Sequence, residues 1–179
     1  MKRIAIIGSS GSGKSTLAVE LGRRLGLEVH HLDAMLWQPG WVMIGREEEH
    51  RIQREMAARE SWIIDGNYGG TMEIRFARAD TIILLEFPRL LCLWRVVKRW
   101  LNWRGRPRAD MGAGCPEKLD QEFIEWVWNF PRDCLPGARE RVEAHREGRT
   151  VHILRGPREV RRFLAAIRAC GHADISGLT

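Results

Sequence analysis

The chain has 179 residues, 44% apolar and 29% charged, a balance that fits one globular domain spanning 1–179 and excludes intrinsic disorder. Its 29 Lys and Arg outnumber its 23 Asp and Glu, for a net charge of +6, and most of the cations are Arg, which suits planar contact with phosphate or carboxylate. No apolar run nears the ~20 residues of a membrane helix, and Ile4–Ile7 is too short for a signal-peptide core. Cys92, Cys115, Cys134 and Cys170 are widely spaced without a CxxC pair, so neither a disulfide framework nor a zinc cluster is expected, and the protein reads as cytoplasmic.

In chain order, Lys2 to Ile7 reads as a buried strand stopped by Gly8. Leu17, Leu21 and Leu25 recur at helical spacing over Ser15 to Leu25. Further strands are expected at Glu28–Leu32, Ser61–Asp65, Thr81–Glu86 and Thr150–Leu154. Helices are expected at Glu47–Glu60, Thr71–Arg78, Pro88–Trp103, Leu119–Asn129, Ala138–Glu147 and Pro157–Ala169, with residues 171–179 as a frayed tail. Five strands alternating with helices predict an α/β fold of three layers, a five-stranded parallel sheet between helices.

Gly8-Ser9-Ser10-Gly11-Ser12-Gly13-Lys14-Ser15 fits the pattern G-x-x-x-x-G-K-[ST], placed between an apolar strand and an amphipathic helix. Glycines let the backbone fold back so that several N–H groups face one anion, and the helix adds its positive end. Gly8, Ser9, Ser10, Gly11, Ser12, Gly13, Lys14, Ser15 and Thr16 are therefore the candidate ATP-binding set. Lys14 would reach the β- and γ-phosphates, and the Ser15 hydroxyl would bind Mg²⁺. Asp65, at the tip of a buried strand, is a second candidate Mg²⁺ ligand, or else caps the next segment. Asp33 ends the second strand at the ligand-binding edge of such sheets, where it can orient or deprotonate a hydroxyl, or else serve as a helix cap.

From Arg89 to Arg108 there are seven cations and no acid. Leu90, Trp94, Val97 and Leu101 share one helical face, expected to be buried, while Arg95 and Arg99 lie four apart on another. Gly105 and Pro107 break the helix, so Arg99, Arg104, Arg106 and Arg108 are candidates for closing on a transferred phosphoryl group. Arg interleaved with Trp94, Trp100 and Trp103 also suits single-stranded nucleic acid, although core packing explains Trp94 and Trp100 more simply. The six histidines show no metal spacing and receive no role.

These motifs resemble the adenylate kinase-like small P-loop kinases, most closely the group called DNA topology modulation proteins. The resemblance runs over essentially the whole chain. It rests on the Gly-rich loop, on Leu32 to Trp41, on Asp65-Gly66-Asn67-Tyr68 and on Glu86-Phe87-Pro88-Arg89. Arg104 to Arg108 and Gly114-Cys115-Pro116-Glu117 add to it. It implies a nucleoside-monophosphate-kinase-like fold with an acceptor-binding segment over about 32–60 and a short lid over about 104–118. Trp37, Trp41 and Tyr68 would stand near the acceptor, or Trp37 and Trp41 simply pack their loop onto the core. Gly156, after the last strand, would touch the adenine edge, or merely start a helix. Adenylate kinases carry a DGFPR-like segment where this chain has Asp65 to Tyr68, and the missing Arg places an AMP acceptor in doubt; Arg75 or Arg78 could substitute. The expected activity is Mg²⁺- and ATP-dependent transfer of a γ-phosphoryl group to a small-molecule acceptor: a nucleotide, nucleoside, sugar or hydroxy acid. The alternative is an ATP-dependent nucleic-acid-binding protein affecting DNA topology. No membrane partner is expected, and monomer and dimer stay open.

Overall fold

The computed structural model describes residues 1–106 and 110–173, the side chains of 168–173 excepted. Strands β1 (Arg3–Gly8), β2 (Val29–His31), β5 (Trp62–Asp65), β6 (Thr81–Leu85) and β7 (Thr150–Leu154) form one parallel sheet in the order β2-β5-β1-β6-β7. Both faces are covered, and the strand alternation shows how. Ala5, Ile7, Ile64, Ile82 and Leu84 join one apolar cluster, whereas Ile4, Ile6, Ile63, Ile83 and Leu85 join the other. A fully buried Ile contributes about 1.5–3 kcal/mol relative to leaving it exposed, so this continuous β-branched run places β1 at the centre of the sheet.

Helix α1 (Lys14–Leu25) packs through Leu17, Ala18 and Leu21 and ends at Gly26 in the left-handed region, with Arg23 and Arg24 in its last turn. Helices α5 (Arg89–Trp103), α6 (Gln121–Asp133) and α8 (Pro157–Ala173) share its layer through Cys92, Val96, Val127 and Val160. Helices α4 (Met72–Arg78) and α7 (Leu135–Ala144) cover the other face through Phe76, Ala138 and Val142, with α3 (Arg46–Ala57) joining through Met56 and Ala57. Among the described residues no helix is long and apolar enough to cross a membrane.

Several boundaries differ from the sequence pattern. The Asp120 carboxylate accepts from the Phe123 N–H at 2.9 Å, which starts α6 at Gln121 rather than Leu119. Pro131 does not end α6, because only one N–H is lost and the turn before it is anchored by buried Val127 and Phe130. Helix α8 continues to Ala173, past the expected fraying point. Between β2 and α3, the sequence pattern missed a five-residue helix α2 (Leu32–Leu36) and an antiparallel pair, β3 (Trp37–Gln38) with β4 (Val42–Met43). Strands of two residues leave no periodicity to read.

The largest correction concerns α5. Its stripe Leu90, Trp94 and Leu101 is 67%, 57% and 63% exposed, whereas Cys92 and Val96 are buried. The inward set, buried Cys92 and Val96 with half-buried Arg95 and Arg99, follows i, i+3, i+4, i+7, and at 100° per residue it lies opposite the apolar stripe. Trp94 carries Lys98 over its ring at 5.1 Å, so core packing does not explain it.

The end of β6 is tied to both later helical units through Glu86. Arg139 on α7 donates to its two oxygens at 2.6 and 2.8 Å, and Arg155 approaches at 3.5 Å. These cations hold the Glu86 carboxyl below its usual range, Arg139 above all. A depressed folded value gives stability that is present above the unfolded pKa of about 4.3 and is lost as pH falls through the folded one. Arg139→Gln is therefore expected to lower the thermal midpoint at pH 7 by a few degrees, with the gap to wild type closing near pH 3. Thermal unfolding followed by circular dichroism at both pH values checks this; an equal gap at both excludes the ion pair as its source.

Candidate active site

The Gly-rich loop joins the central strand β1 to α1. Gly11 takes φ +75°, and a Cβ there would stand 2.2 Å from the Cys92 carbonyl oxygen, so only glycine admits this approach of α5. The Ser9 carbonyl accepts from the Ser12 N–H at 3.2 Å, the Ser12 hydroxyl at 2.7 Å and the Lys14 ammonium at 3.0 Å. The loop thus folds around one oxygen and holds Lys14 over itself. Desolvation lowers the Lys14 pKa, opposed by the charges of Asp33 and Asp65. Ser10 to Thr16 line a cavity of about 1070 Å³ that opens at the start of α1. A helix N-terminus, a lysine and a loop with three positive-φ glycines are groups that favour a polyphosphate.

The carboxylates stand beside this loop because β2 and β5 are neighbours, with His31 in register with Asp65. Asp65 is 3% exposed, and its Oδ1 lies 2.6 Å from His31 Nδ1, a contact that raises the His31 pKa. Asp33 sits in the first turn of α2, which has His31 at its cap position, so the capping alternative does not describe it. It lines the cavity together with His31. Tyr68 donates to Asp33 Oδ1 at 2.7 Å. Burial, with the Asp33 charge second, pushes the phenol far above its ordinary pKa, so Tyr68 remains a proton donor that fixes the Asp33 carboxylate.

The third wall is cationic. Arg95 donates to the Gly11 and Ser12 carbonyls at 3.4 and 3.3 Å. Arg99 donates through Nε to Glu117 at 2.8 Å and through Nη1 to the Ser10 hydroxyl at 3.4 Å. Arg161 on α8 lines the opposite side with Pro157, Val160 and Leu164. Of the expected lid arginines, only Arg99 lines the cavity among the described residues. Arg104 is exposed over the Trp100 ring and bridges to Glu117 by its backbone, Arg106 is exposed beside Trp103, and Arg108 lies outside the described residues. Gly8 and Ser9, also expected in the nucleotide-binding set, do not line the cavity. Gly156 caps α8, its carbonyl accepting from Val160, while the residues after it make the wall.

Sequence reasoning missed His31, Arg95 and Arg161. The signal for Arg95 was its spacing of four from Arg99. His31 is recognisable only through the sheet register, and Arg161 only once α8 is seen to pack beside α1.

Arg75 and Arg78 offer no acceptor grip here. Arg78 is exposed away from the cavity, and Arg75 is fully buried. Arg75 donates to Gln53 Oε1 and to the Gly66 carbonyl at 3.2 Å. Gln53 in turn donates to Glu49 and Thr71, and Thr71 to Glu49 at 2.8 Å. Burial brings the guanidinium pKa down to about 10, so it stays charged at neutral pH and pins the loop after Asp65 to α3. Arg75→Met strands the buried Gln53 Oε1 and Gly66 carbonyl acceptors and is expected to cost about 2–4 kcal/mol. Urea unfolding measures this; a loss below about 0.5 kcal/mol would show that the network does not hold the loop.

No protein-family model matches the chain, and no curated protein matches it by sequence. Solved structures do match its fold. The shikimate kinase from Acinetobacter baumannii in complex with shikimate is 16% identical, with a TM-score of 0.59 over 98% of this chain and 96% of that one. The shikimate kinase from Bacteroides thetaiotaomicron is also 16% identical, with a TM-score of 0.55 over 96% of this chain and 98% of that one. The chain has the α/β fold of these small P-loop kinases.

Proposed function

We propose that the protein is a Mg²⁺- and ATP-dependent phosphotransferase acting on a hydroxyl-bearing small molecule. The observation that carries this reading is that a phosphate-binding loop, the carboxylate Asp33 and the arginines Arg95 and Arg99 line one cavity. The shared fold with shikimate kinases supports it. So does the sequence resemblance to the topology modulation group.

The loop and α1 bind the nucleotide phosphates, with Lys14 directed to the β- and γ-groups. The Ser15 hydroxyl and Asp65 carboxylate are hard oxygen donors that would hold Mg²⁺, which would neutralise phosphate charge. Among the described residues no three His, Cys, Asp or Glu side chains form a metal cage. Two protein ligands with phosphates and water completing the set fit the way Mg²⁺ binds in such sites. Asp33, fixed by Tyr68, orients the acceptor hydroxyl and takes its proton. Arg99 is assigned the charge developing on the transferred group, and Arg95 supports it from the loop side. Arg104 and Arg106, outside the cavity, receive no phosphoryl contact in this reading. Residues 156–161 bound the side where the base would lie.

Lys14→Ala is expected to weaken nucleotide binding about tenfold or more, as loss of one charge-assisted contact requires. Asp33→Asn should keep nucleotide affinity within about threefold while acceptor phosphorylation falls roughly 10²-fold or more. Calorimetric titration and an ADP-release assay across nucleosides, nucleotides, sugars and hydroxy acids, shikimate included, check both. Full activity in Asp33→Asn removes its assigned role. The exposed Trp94, flanked by cations, keeps a nucleic-acid reading in view. Sub-micromolar binding of single-stranded DNA persisting at about 150 mM salt, with no acceptor found, would favour that second reading.

A further inference from the structure

Residues 112–117 run as a strap between the β3–β4 hairpin and Arg99 at the candidate site. On one side the strap is built onto the β3–β4 hairpin. The Gly40 N–H donates to the Gly114 carbonyl at 3.2 Å, the Trp41 indole to the Pro116 carbonyl at 3.2 Å, and the Cys115 thiol to the Gln38 carbonyl at 3.0 Å. The fit leaves no space: a Cβ on Gly112 would stand 2.1 Å from the Trp37 carbonyl oxygen, and one on Gly114 would stand 2.9 Å from Pro39. Trp41 holds φ +64° while making its contact and packs edge-on against Trp37 at 5.7 Å. A left-handed tryptophan is an unfavourable conformation that persists only where its surroundings fix it.

On the other side the strap ends at Glu117, whose side chain is buried and accepts from Arg99 Nε at 2.8 Å. Arg99 Nη1 then points at Ser10 in the phosphate loop. A guanidinium is planar, so a carboxylate that fixes Nε also fixes the direction in which the two terminal nitrogens face.

We propose that Glu117 is a positioning residue that aims Arg99 at the nucleotide phosphates, and that the strap carrying Glu117 couples this aim to the acceptor hairpin. The inference rests on the phosphotransferase reading above and deepens it. Nucleotide that draws on Arg99 stiffens the strap and the hairpin behind it, and a displaced hairpin misaligns Arg99. The site thereby matches its phosphate-stabilising arginine to the state of the acceptor side, and transfer to water is disfavoured when that side is unsettled. Such coupling is reciprocal between the two binding events.

Hydrogen–deuterium exchange of the full chain, with and without the Mg²⁺ complex of the non-hydrolysable ATP analogue AMP-PNP, tests this. In wild type, the analogue is expected to slow exchange in the phosphate loop and also at Gly40 and in residues 112–117, the latter about threefold or more. Glu117→Gln should keep loop protection and analogue affinity within about threefold while losing the response at Gly40; Glu117→Asp, which keeps the charge, should restore part of it. Trp41→Phe, remote from Arg99, should lose the same response, because only the indole donor is removed. Loop protection without any change at Gly40 in wild type overturns the coupling and leaves the kinase reading standing. A Glu117→Gln variant that responds like wild type also overturns it. Absence of protection in the phosphate loop overturns the nucleotide reading itself, and the coupling with it.

Discussion

The contact between Gly11 and the backbone of Cys92 constrains more of this molecule than any other. A phosphate loop is a strained turn with few side chains of its own, and here it leans on the first turns of α5 at a point with no room for a Cβ. That approach sets the rotation of α5. The residues facing the loop must be small near the contact, as Cys92 and Val96 are, and able to bond its carbonyls farther along, as Arg95 is. With the helix so turned, Arg99 falls one turn beyond, beside Ser10 and Glu117. The cationic wall of the cavity is therefore a consequence of how the loop is supported.

The same constraint explains where sequence patterning failed. Leu90, Trp94, Val97 and Leu101 form the more apolar stripe, and periodicity alone points that stripe inward. Burying it would put bulky side chains where the loop backbone needs close approach, and would turn both arginines to solvent. The loop's requirement wins over hydrophobic area, and three large apolar side chains stay exposed. The rest of the fold was far more legible. The apolar runs mark all five sheet strands to within one residue at either end, since parallel strands buried on both faces read as continuous apolar segments. The GxxxxGKS loop is local in sequence and needs no tertiary context to be recognised. What stayed hidden was short or relational: a hairpin of two-residue strands, and His31, whose importance depends on lying opposite Asp65 in the sheet.

That His31–Asp65 pair also shows how the sheet order builds chemistry. Inserting β5 between β2 and β1 brings the Asp65 carboxylate next to the phosphate loop, and places Asp33, one turn past β2, on the outer side. Lys14 senses both carboxylates, which oppose the desolvation it meets under the loop. The distribution is asymmetric: Asp65 is buried and held by an imidazole, whereas Asp33 is half-buried, lines the cavity and is held by a phenol. A buried carboxylate against a lysine suits an ion, and an accessible one beside a neutral donor suits a hydroxyl. In the proposed function, two chemically identical groups take different roles because they differ in depth and in partner.

The net charge of +6 takes on a more specific meaning in this light. The seven cations between Arg89 and Arg108 form one arm in sequence, but the fold divides the six that lie among the described residues. Arg95 and Arg99 face the phosphate loop, while Arg89, Lys98, Arg104 and Arg106 are exposed, three of them lying over tryptophan rings. The inward pair is held by the loop carbonyls, Ser10 and Glu117, which orders it in advance of any anion. The outward set is solvated and contributes a field rather than a geometry. A cation that must stabilise developing charge needs the fixed geometry, because its value lies in having no reorganisation left to make. What a basic composition implies about a partner thus depends less on how many cations there are than on which of them the fold has already oriented.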